Sequence, residues 1–399
     1  LASESNRPSL TLAGKLVIGL FVVACLAGAF LLARKRGVLP ASIPGVPAGT
    51  ASQEESGTDV TLGIAYGTEK ERWLKDAAEQ FAQTPEGRHI HVDLIPMGSL
   101  EGAHAALNGD QRIDVWSPAS AVYKDTFVED WQAKYGKNPI LKEEPLALTP
   151  MVFVMWDERY QVFLAKYHKV DFDTINRALH EPGGWAAIGN KPDWGLFKFG
   201  HTNPGESNSG IQTLLLAGHG YFKQTGDLSL GQVTDAAFQA WLSKLESAAT
   251  TDENSTGNLM RDMVLKGPST YDAAFVYESV AIDYLKNAQG RWGALHVVYP
   301  DYNAWNDNPY YILDASWSSP AQRKAARTFL DYLLTAPVQL ASEKHGFRPA
   351  NPEVPVRTPD SPWTVYQTSG IQLNVDRICA APKAEVVTNL LQSWERRER

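Results

Sequence analysis

The sequence predicts an α/β protein of two lobes, preceded by one apolar span. Three observations carry that expectation. The chain has 399 residues, more than one hydrophobic core usually holds. Strand-like and helix-like patterns alternate from Val60 onward, and residues 16–33 form an apolar run without a charge. The remainder, at 44% hydrophobic and 21% charged residues overall, has ordinary globular composition.

Residues 1–15 read as an N-terminal tail, and "LVIGLFVVACLAGAFLLA", residues 16–33, follows between Lys15 and Arg34-Lys35-Arg36. At about 1.5 Å per residue this run covers roughly 27 Å, enough to cross the hydrocarbon core of a bilayer. A cleaved secretory signal is one rival and a lipoprotein signal ending at Cys25 is another. Eight further apolar residues after Cys25 favour an uncleaved anchor over both. The basic cluster taken alone would keep the C-terminal side in the cytoplasm. Residues 34–58, rich in Pro, Gly, Ala and Ser, bury no core and read as a flexible linker.

Without residues 1–36 the chain holds 32 basic against 44 acidic residues, a net charge of −12. That balance argues against nucleic acid and against adhesion to anionic lipid. Cys379 is the one cysteine outside the apolar span, so no internal disulfide is expected.

The folded part begins with "DVTLGIAYGT", an alternating strand closed by Gly67. "EKERWLKDAAEQFAQ" then places Trp73, Leu74, Ala77 and Phe81 on one helical face. "HIHVDLIPMGS", "LEGAHAALNG", "IDVWS" and "PASAVYKDTFVEDW" continue as strand, helix, strand and helix. Such alternation signals a mostly parallel sheet with helices on both faces. "LALTPMVFVMW" is a strand pair around Pro150, where the chain leaves one lobe for the other. "WGLFKFGHTNP" and "TYDAAFVY" are strands of the second lobe, with helices starting near Ser209 and Ser279. "RWGALHVVYP" and "NPYYILDASW" lead back, followed by two short amphipathic helices and the helical tail "AEVVTNLLQSWERRER". The expected division is therefore residues 59–149 in lobe 1, residues 150–295 in lobe 2, and residues 296–399 returning to lobe 1 with a C-terminal helix.

One stretch stands apart. In "FGHTNPGESNSGIQTLLLAG", Thr202, Asn203, Ser207, Asn208 and Ser209 crowd before an apolar helix. Thr68 with Glu71, Ser209 with Gln212 and Ser319 with Gln322 have capping-box spacing. Thr68, Ser99, Ser117 and Ser209 each sit at a strand-to-helix step, and in an open α/β sheet those steps share the edge where ligands bind. Free N–H groups and the positive dipole end there favour anionic or strongly polar atoms. One such residue is an ordinary helix cap. Four of them, with Asn203 and Asn208, make a ligand-binding edge an equally good reading.

Other chemistry finds little support. The sequence has no P-loop, no G-x-G-x-x-G after the first strand, no G-x-S-x-G and no H-E-x-x-H. His89 and His91 share one strand face without a third ligand, so a polar edge face is favoured over a metal site. His201 and His219 read as packed or capping histidines. No Ser-His-Asp arrangement is visible. Neither metal nor cofactor is expected.

From Val60 to about Leu391 the chain resembles the bacterial extracellular solute-binding proteins of the type II periplasmic-binding fold. The resemblance is to the branch grouped with molybdate, sulphate and iron receptors. It is carried by "IDVWSPAS" at 113–120, "FGHTNPGESNSG" at 199–210, "YDAAFVYES" at 271–279, and "NPYYILDASWSSPAQRKAARTFLDYLL…GFRPAN" at 308–351. It implies two α/β lobes joined by two hinge crossings, with a solute held between them. Residue by residue, it implies that Tyr66, Gly67 and Thr68 form the first ligand loop, Ser99 the second, and Trp116 with Ser117 the third. Thr202, Asn203, Ser207, Asn208, Ser209, Tyr277 and Glu278 would then come from the second lobe. Members of this branch are often followed by a von Willebrand factor A-type domain, and this chain is expected to act without one.

Relatives serve a permease on the outer face of the cytoplasmic membrane. The resemblance therefore implies binding without catalysis, an ABC-type importer as partner, and a periplasmic or extracellular position, against the bias of Arg34 to Arg36. Glu69 and Glu278, at the helix starts, would oppose a desolvated anion by several kcal/mol, so a polar organic or cationic solute is expected. Tyr66, Trp116 and Tyr277 would stack on it. Alternatively both glutamates cap their own helices. The rival functions are an envelope scaffold or sensor with a vestigial cleft, and a hydrolase using Glu278 as general base.

Overall fold

The computed structural model describes residues 59–288, 290 and 292–398. The N-terminal tail, the apolar span and the linker lie outside them. Among the described residues, no helix is long and apolar enough to cross a membrane.

The strands are, in chain order, β1 (Val60–Tyr66), β2 (Ile90–Pro96), β3 (Val115–Ser117), β4 (Ile140–Pro145), β5 (Ala147–Leu148), β6 (Met151–Trp156), β7 (Phe199–Gly200), β8 (Ala273–Tyr277), β9 (Leu295–Val298), β10 (Pro309–Leu313) and β11 (Arg348–Pro349). The longer helices in the first half are α1 (Glu71–Phe81), α2 (Ser99–Leu107), α3 (Lys124–Tyr135), α4 (Asp157–Tyr167) and α5 (Phe172–Leu179). Those of the second half are α6 (Asn208–Phe222), α7 (Ala236–Glu246), α8 (Thr256–Lys266), α9 (Glu278–Ala288), α10 (Pro320–Leu333), α11 (Ala336–Glu343) and α12 (Ala384–Glu398).

Two main sheets result, ordered β2-β1-β3-β10-β4 and β7-β8-β6-β9, with β5 and β11 paired apart from them. The first sheet is parallel across β2, β1 and β3, but β10 runs antiparallel to both β3 and β4. In the second, β7 and β8 are parallel while β6 opposes β8 and β9. Both sheets are thus mixed, where the alternating pattern predicts a mostly parallel one. Strands β6 and β10 are reached through a crossing between sheets and not through a right-handed βαβ unit, so nothing forces them parallel to their neighbours.

The apolar faces bury as their periodicity dictates. Trp73, Leu74, Ala77 and Phe81 of α1 pack with Leu62 and Ile64 of β1 and with Phe329 and Leu330 of α10. Every residue of β6 and β8 is buried, which explains their unbroken apolar runs. His91 on the edge strand β2 and His89 in the turn just before it are both exposed, in keeping with the polar-face reading.

The chain passes from the first sheet to the second at Thr149-Pro150 and returns between β9 and β10. The two crossings bind each other. Thr149 N–H donates to the Asn306 carbonyl at 3.0 Å, and Asn306 N–H donates back at 2.9 Å. Asn306 Nδ2 adds a third bond to the Thr149 carbonyl at 3.1 Å. Asn303 embraces Met151, accepting from its N–H at 2.9 Å and donating to its carbonyl at 2.8 Å. Asn308 Nδ2 donates to the Ala147 carbonyl at 3.0 Å. All three asparagines are fully buried. Their amides supply the pairing that buried backbone needs where a strand ladder stops.

Gly346 permits a close approach between the sheets' helices. Its φ is +77°, and a Cβ there would lie 2.7 Å from the Ser279 carbonyl oxygen at the start of α9.

Replacing Asn303 with Ala leaves both backbone groups of Met151 without their partners in a buried crossing. Urea unfolding of Asn303→Ala should show stability lower by about 1–3 kcal/mol, as for buried polar groups left unsatisfied.

Candidate functional site

The starts of helices from both sheets converge on one small cavity of about 20 Å³. Gly67, Thr68 and Glu69 reach it from the turn after β1, and Gly98 and Ser99 from the start of α2. Facing them are Ser207 and Asn208 at the start of α6, then Asn254, Ser255 and Thr256 before and at the start of α8, with Tyr277 at the end of β8. A space of this size holds about one water molecule. Beside it lies a wider recess of about 690 Å³ that shares Thr68, Gly98 and Ser255 and is flanked by Glu101, His104 and Glu206.

The two sides touch. Thr68 Oγ1 lies 3.1 Å from Ser255 Oγ. Gly98 has no side chain to keep the opposite loop away, and a Cβ there would meet the Glu206 carbonyl oxygen at 2.8 Å.

The crowded hydroxyls largely bond one another. Ser209 Oγ lies 2.6 Å from Thr202 Oγ1 and from Thr256 Oγ1, and 3.1 Å from Ser207 Oγ. Asn208 Nδ2 donates to the Tyr277 hydroxyl at 2.8 Å and to Asn306 Oδ1 at 3.1 Å, and its Oδ1 accepts from Ser120 Oγ at 2.7 Å. Gln212 Nε2 joins the same Asn306 oxygen at 3.0 Å. Asn203 Oδ1 accepts from the Gly205 N–H at 2.8 Å and so shapes its own loop.

These bonds correct the capping assignments. Only Ser319 and Gln322 form the expected box, with Gln322 N–H donating to Ser319 Oγ at 3.2 Å and Ser319 N–H to Gln322 Oε1 at 2.9 Å. Thr68 opens a 3₁₀ turn without capping it, and Ser209 lies inside α6, whose N-cap is Ser207. No helix starts directly after Ser117, because Pro118 to Ser120 form a loop before the next turn. Their spacing was that of caps, yet Thr68 and Ser209 direct their hydroxyls to other elements.

Several expected residues stand behind the cavity. Trp116 donates its Nε1–H to the Ser99 carbonyl at 3.1 Å and stacks on Tyr311 with centroids 5.1 Å apart, so it is core. Ser99 Oγ accepts from Ala119 N–H at 3.1 Å. Tyr66 and Ser117 are buried, and neither hydroxyl has a partner among the described residues. Burial, reinforced by Glu71 and Glu69, pushes the Tyr66 hydroxyl up to about 12.

The glutamates are held by cations of the same chain. Lys70 is fully buried and donates to Glu69 Oε1 at 2.5 Å, the Pro118 carbonyl at 3.1 Å and Asn308 Oδ1 at 3.2 Å. Burial holds its pKa below the ordinary lysine value despite Glu69. Glu278 is gripped by Arg348, whose Nε donates to Oε2 at 2.9 Å and Nη2 to Oε1 at 2.7 Å, and the Tyr299 hydroxyl also donates to Oε1. Glu278 does not line the cavity. The charge that the sequence sets against an anion is therefore largely neutralised within the protein.

Lys70, Ser120, Asn306 and the run Asn254-Ser255-Thr256 were not singled out by the sequence reading. The last was findable, since polar residues precede the apolar positions Leu259, Met260 and Met263 in the same manner as before α6. Nothing local marks Lys70 or Asn306. Among the described residues, no cluster of three His, Cys, Asp or Glu could hold a metal ion.

The profile of the family described as bacterial extracellular solute-binding protein matches residues 62–348. Among solved structures, the chain is similar to a periplasmic thiamin binding protein, with TM-score 0.58, 11% identity, and coverage of 88% of this chain and 100% of that one. It is also similar to iron-bound HitA from Pseudomonas aeruginosa, with TM-score 0.55, 12% identity, and coverage of 85% and 100%. The sulfate-binding protein SubI from Mycobacterium tuberculosis H37Rv gives 0.52, 15%, and coverage of 82% and 95%. Likeness at such identity shows the fold, that of the α/β periplasmic binding proteins. No curated protein matches.

Behind the α6 loop, His201 Nδ1 lies 2.9 Å from the Thr202 carbonyl and Nε2 lies 3.2 Å from Glu246 Oε1. Both neighbours are acceptors, so they favour the imidazolium form, with a proton on each ring nitrogen. Burial opposes the charge, but Glu246 and the Thr202 carbonyl outweigh it and raise the His201 pKa above its ordinary value. A raised folded-state pKa stabilises the protein fully below the unfolded value of about 6.5, and that contribution is lost as pH rises through the folded value. His201→Gln should thus be most destabilising at about pH 6 and below, with the gap from the parent narrowing as pH rises. Urea unfolding of both proteins across that range measures it.

Proposed function

Because this chain belongs to the family of bacterial extracellular solute-binding proteins, we propose that its two sheets close on a small polar organic solute at the cavity between Thr68 and Ser255. The observation that carries this reading is the meeting of helix starts from both sheets at a single point. Opening there would release Thr68, Ser207, Asn254, Ser255 and Thr256 to bond a solute, with Tyr277 behind them. Glu101 and Glu206 at the recess make its rim acidic, which favours a neutral or cationic solute over an anion. Capture is without catalysis, since Glu278, the candidate general base, is locked by Arg348. The solute passes to an ABC-type importer, and residues 16–33 tether the folded part outside the cytoplasmic membrane. Lobe 1 comprises residues 59–149 and the return that begins after Val298. Lobe 2 begins at residue 150 and includes all of β9, so the boundary expected at residue 295 moves to the end of that strand. The C-terminal helix lies against lobe 2, where Trp394 Nε1 donates to Glu246 at 2.9 Å.

The small cavity and its mutually bonded hydroxyls also fit the second reading, an envelope scaffold or sensor whose cleft no longer admits a solute. The two separate on one experiment. Thr68→Cys with Ser255→Cys places two thiols where the hydroxyls stand 3.1 Å apart, within reach of a disulfide. In a thermal-shift screen of polar organic solutes, the parent protein should respond to a solute that the oxidised variant ignores, and reduction should restore part of the response. A solute at 100 times its Kd adds about 2.7 kcal/mol of stability. If no solute distinguishes the parent from the oxidised variant, the scaffold reading stands.

Asn208→Ala removes the amide that joins Tyr277, Ser120 and Asn306 in the closed form. Affinity for the solute should fall by about 1–2 kcal/mol with little dependence on salt, as expected for neutral hydrogen bonds. Isothermal titration at two ionic strengths checks both statements.

A further inference from the structure

On another face, a groove of about 740 Å³ runs between α9 and α11 and is bordered by the segment carrying Val365 and Tyr366. Its exposed part carries two large apolar side chains among polar ones. Leu340 is 48% exposed and Val365 55% exposed, two of the few large apolar side chains left in solvent. Its inner part holds Glu343, the last residue of α11, which is only 4% exposed. Glu343 Oε1 is buried and has no hydrogen-bond partner among the described residues. The other charged groups lining the groove are Asp283 on α9, paired with Arg72 of α1 at 3.2 Å, and the exposed Lys344 and Asp360.

A carboxylate oxygen shut away from water without a donor is costly in its charged form. Burial accordingly raises the Glu343 carboxyl to about 7. What the site lacks is a single cation with an apolar body: a charged head for Glu343 and a chain to cover Leu340 and Val365. Arg72 does not fill that role because Asp283 holds it.

We propose that this groove is a second ligand site, separate from the cavity at Thr68, for a small organic ammonium carried on an alkyl chain. The ammonium donates to the Glu343 carboxylate, and the chain lies along Leu340 and Val365. Because α1 and α9 are packed around different sheets and both border the groove, its occupant also braces the Arg72–Asp283 contact.

The test titrates the full chain with butylammonium, pentylammonium and hexylammonium chloride, with hexanol and hexanoate as controls, by calorimetry near pH 7. Affinity should rise about fourfold per methylene, the factor for burying one CH₂. Binding should release protons, seen as an enthalpy that depends on the buffer, as Glu343 ionises. Glu343→Gln should weaken hexylammonium at least tenfold and abolish the proton release, and the exposed-site variant Leu340→Ala should weaken it several-fold. Locking the cleft by the Thr68→Cys/Ser255→Cys disulfide should leave binding intact. The proposal is overturned if hexylammonium does not bind, if hexanol binds as tightly, if Glu343→Gln changes nothing, or if the locked cleft abolishes binding. This outcome is independent of whether a solute is found for the cleft.

Discussion

Everything at the cleft depends on the pairing of the two chain crossings, Thr149 against Asn306. A single antiparallel bridge cannot hold two sheets in register by itself. It is reinforced because Asn306 faces three ways: to Thr149 through Nδ2, and through Oδ1 to Asn208 and Gln212 of α6. Asn308 extends the network to the buried Lys70 ammonium, and thereby to Glu69 beside the cavity. Buried amides arranged in this way stabilise one geometry only when every member finds a partner. The hinge and the first turn of α6 are therefore a single hydrogen-bonded unit, and motion of one sheet relative to the other has to work against it.

Charge around the cleft follows the same rule of internal pairing. Glu69 with Lys70 and Glu278 with Arg348 each bury a charge beside an opposite one, as does Glu246 with His201 when the imidazole is protonated. Farther back, Asp272 meets Arg159 at 2.7 Å and Lys198 at 3.4 Å. Buried pairs add little net stability, because desolvation offsets their attraction, but losing one partner is costly. Their effect here is positional. They keep the cavity wall a surface of hydroxyls and amides with little uncompensated charge of its own.

Much of this was legible from residue order. The β1–α1–β2–α2 alternation, the all-apolar β6 and β8, the break at Pro150 and the polar start of α6 follow from local periodicity and turn chemistry. The direction of β6 and β10 was not legible, because it depends on which sheet the chain comes from and not on any property of the strands. Nor was the destination of Thr68 and Ser209. A hydroxyl at a helix start bonds its own backbone unless another element offers something better, and the partners Ser255 and Thr256 lie 187 and 47 residues away. Lys70 shows the limit most plainly. In sequence it is one charge in "TEKER", the kind that faces water, and only the fold reveals that Asn308 and Pro118 enclose it. In "GFRP" the glycine and the arginine matched a family pattern, while their tasks at Ser279 and Glu278 required long-range contacts to see.

On the proposed reading, in which the solute enters between Thr68 and Ser255, a cavity that admits one water makes its admission a property of the hinge more than of diffusion. The closed form must first part Thr68 from Ser255, so only the open fraction of molecules can bind at any instant. Apparent affinity is the intrinsic affinity scaled by that fraction; with one molecule in about a hundred open, it falls roughly a hundredfold. The same latch acts in reverse once the solute is inside, since departure also waits for opening. On that reading the protein gives up speed of capture and gains length of retention, and the hydrogen bonds of Asn306 set where that exchange is struck.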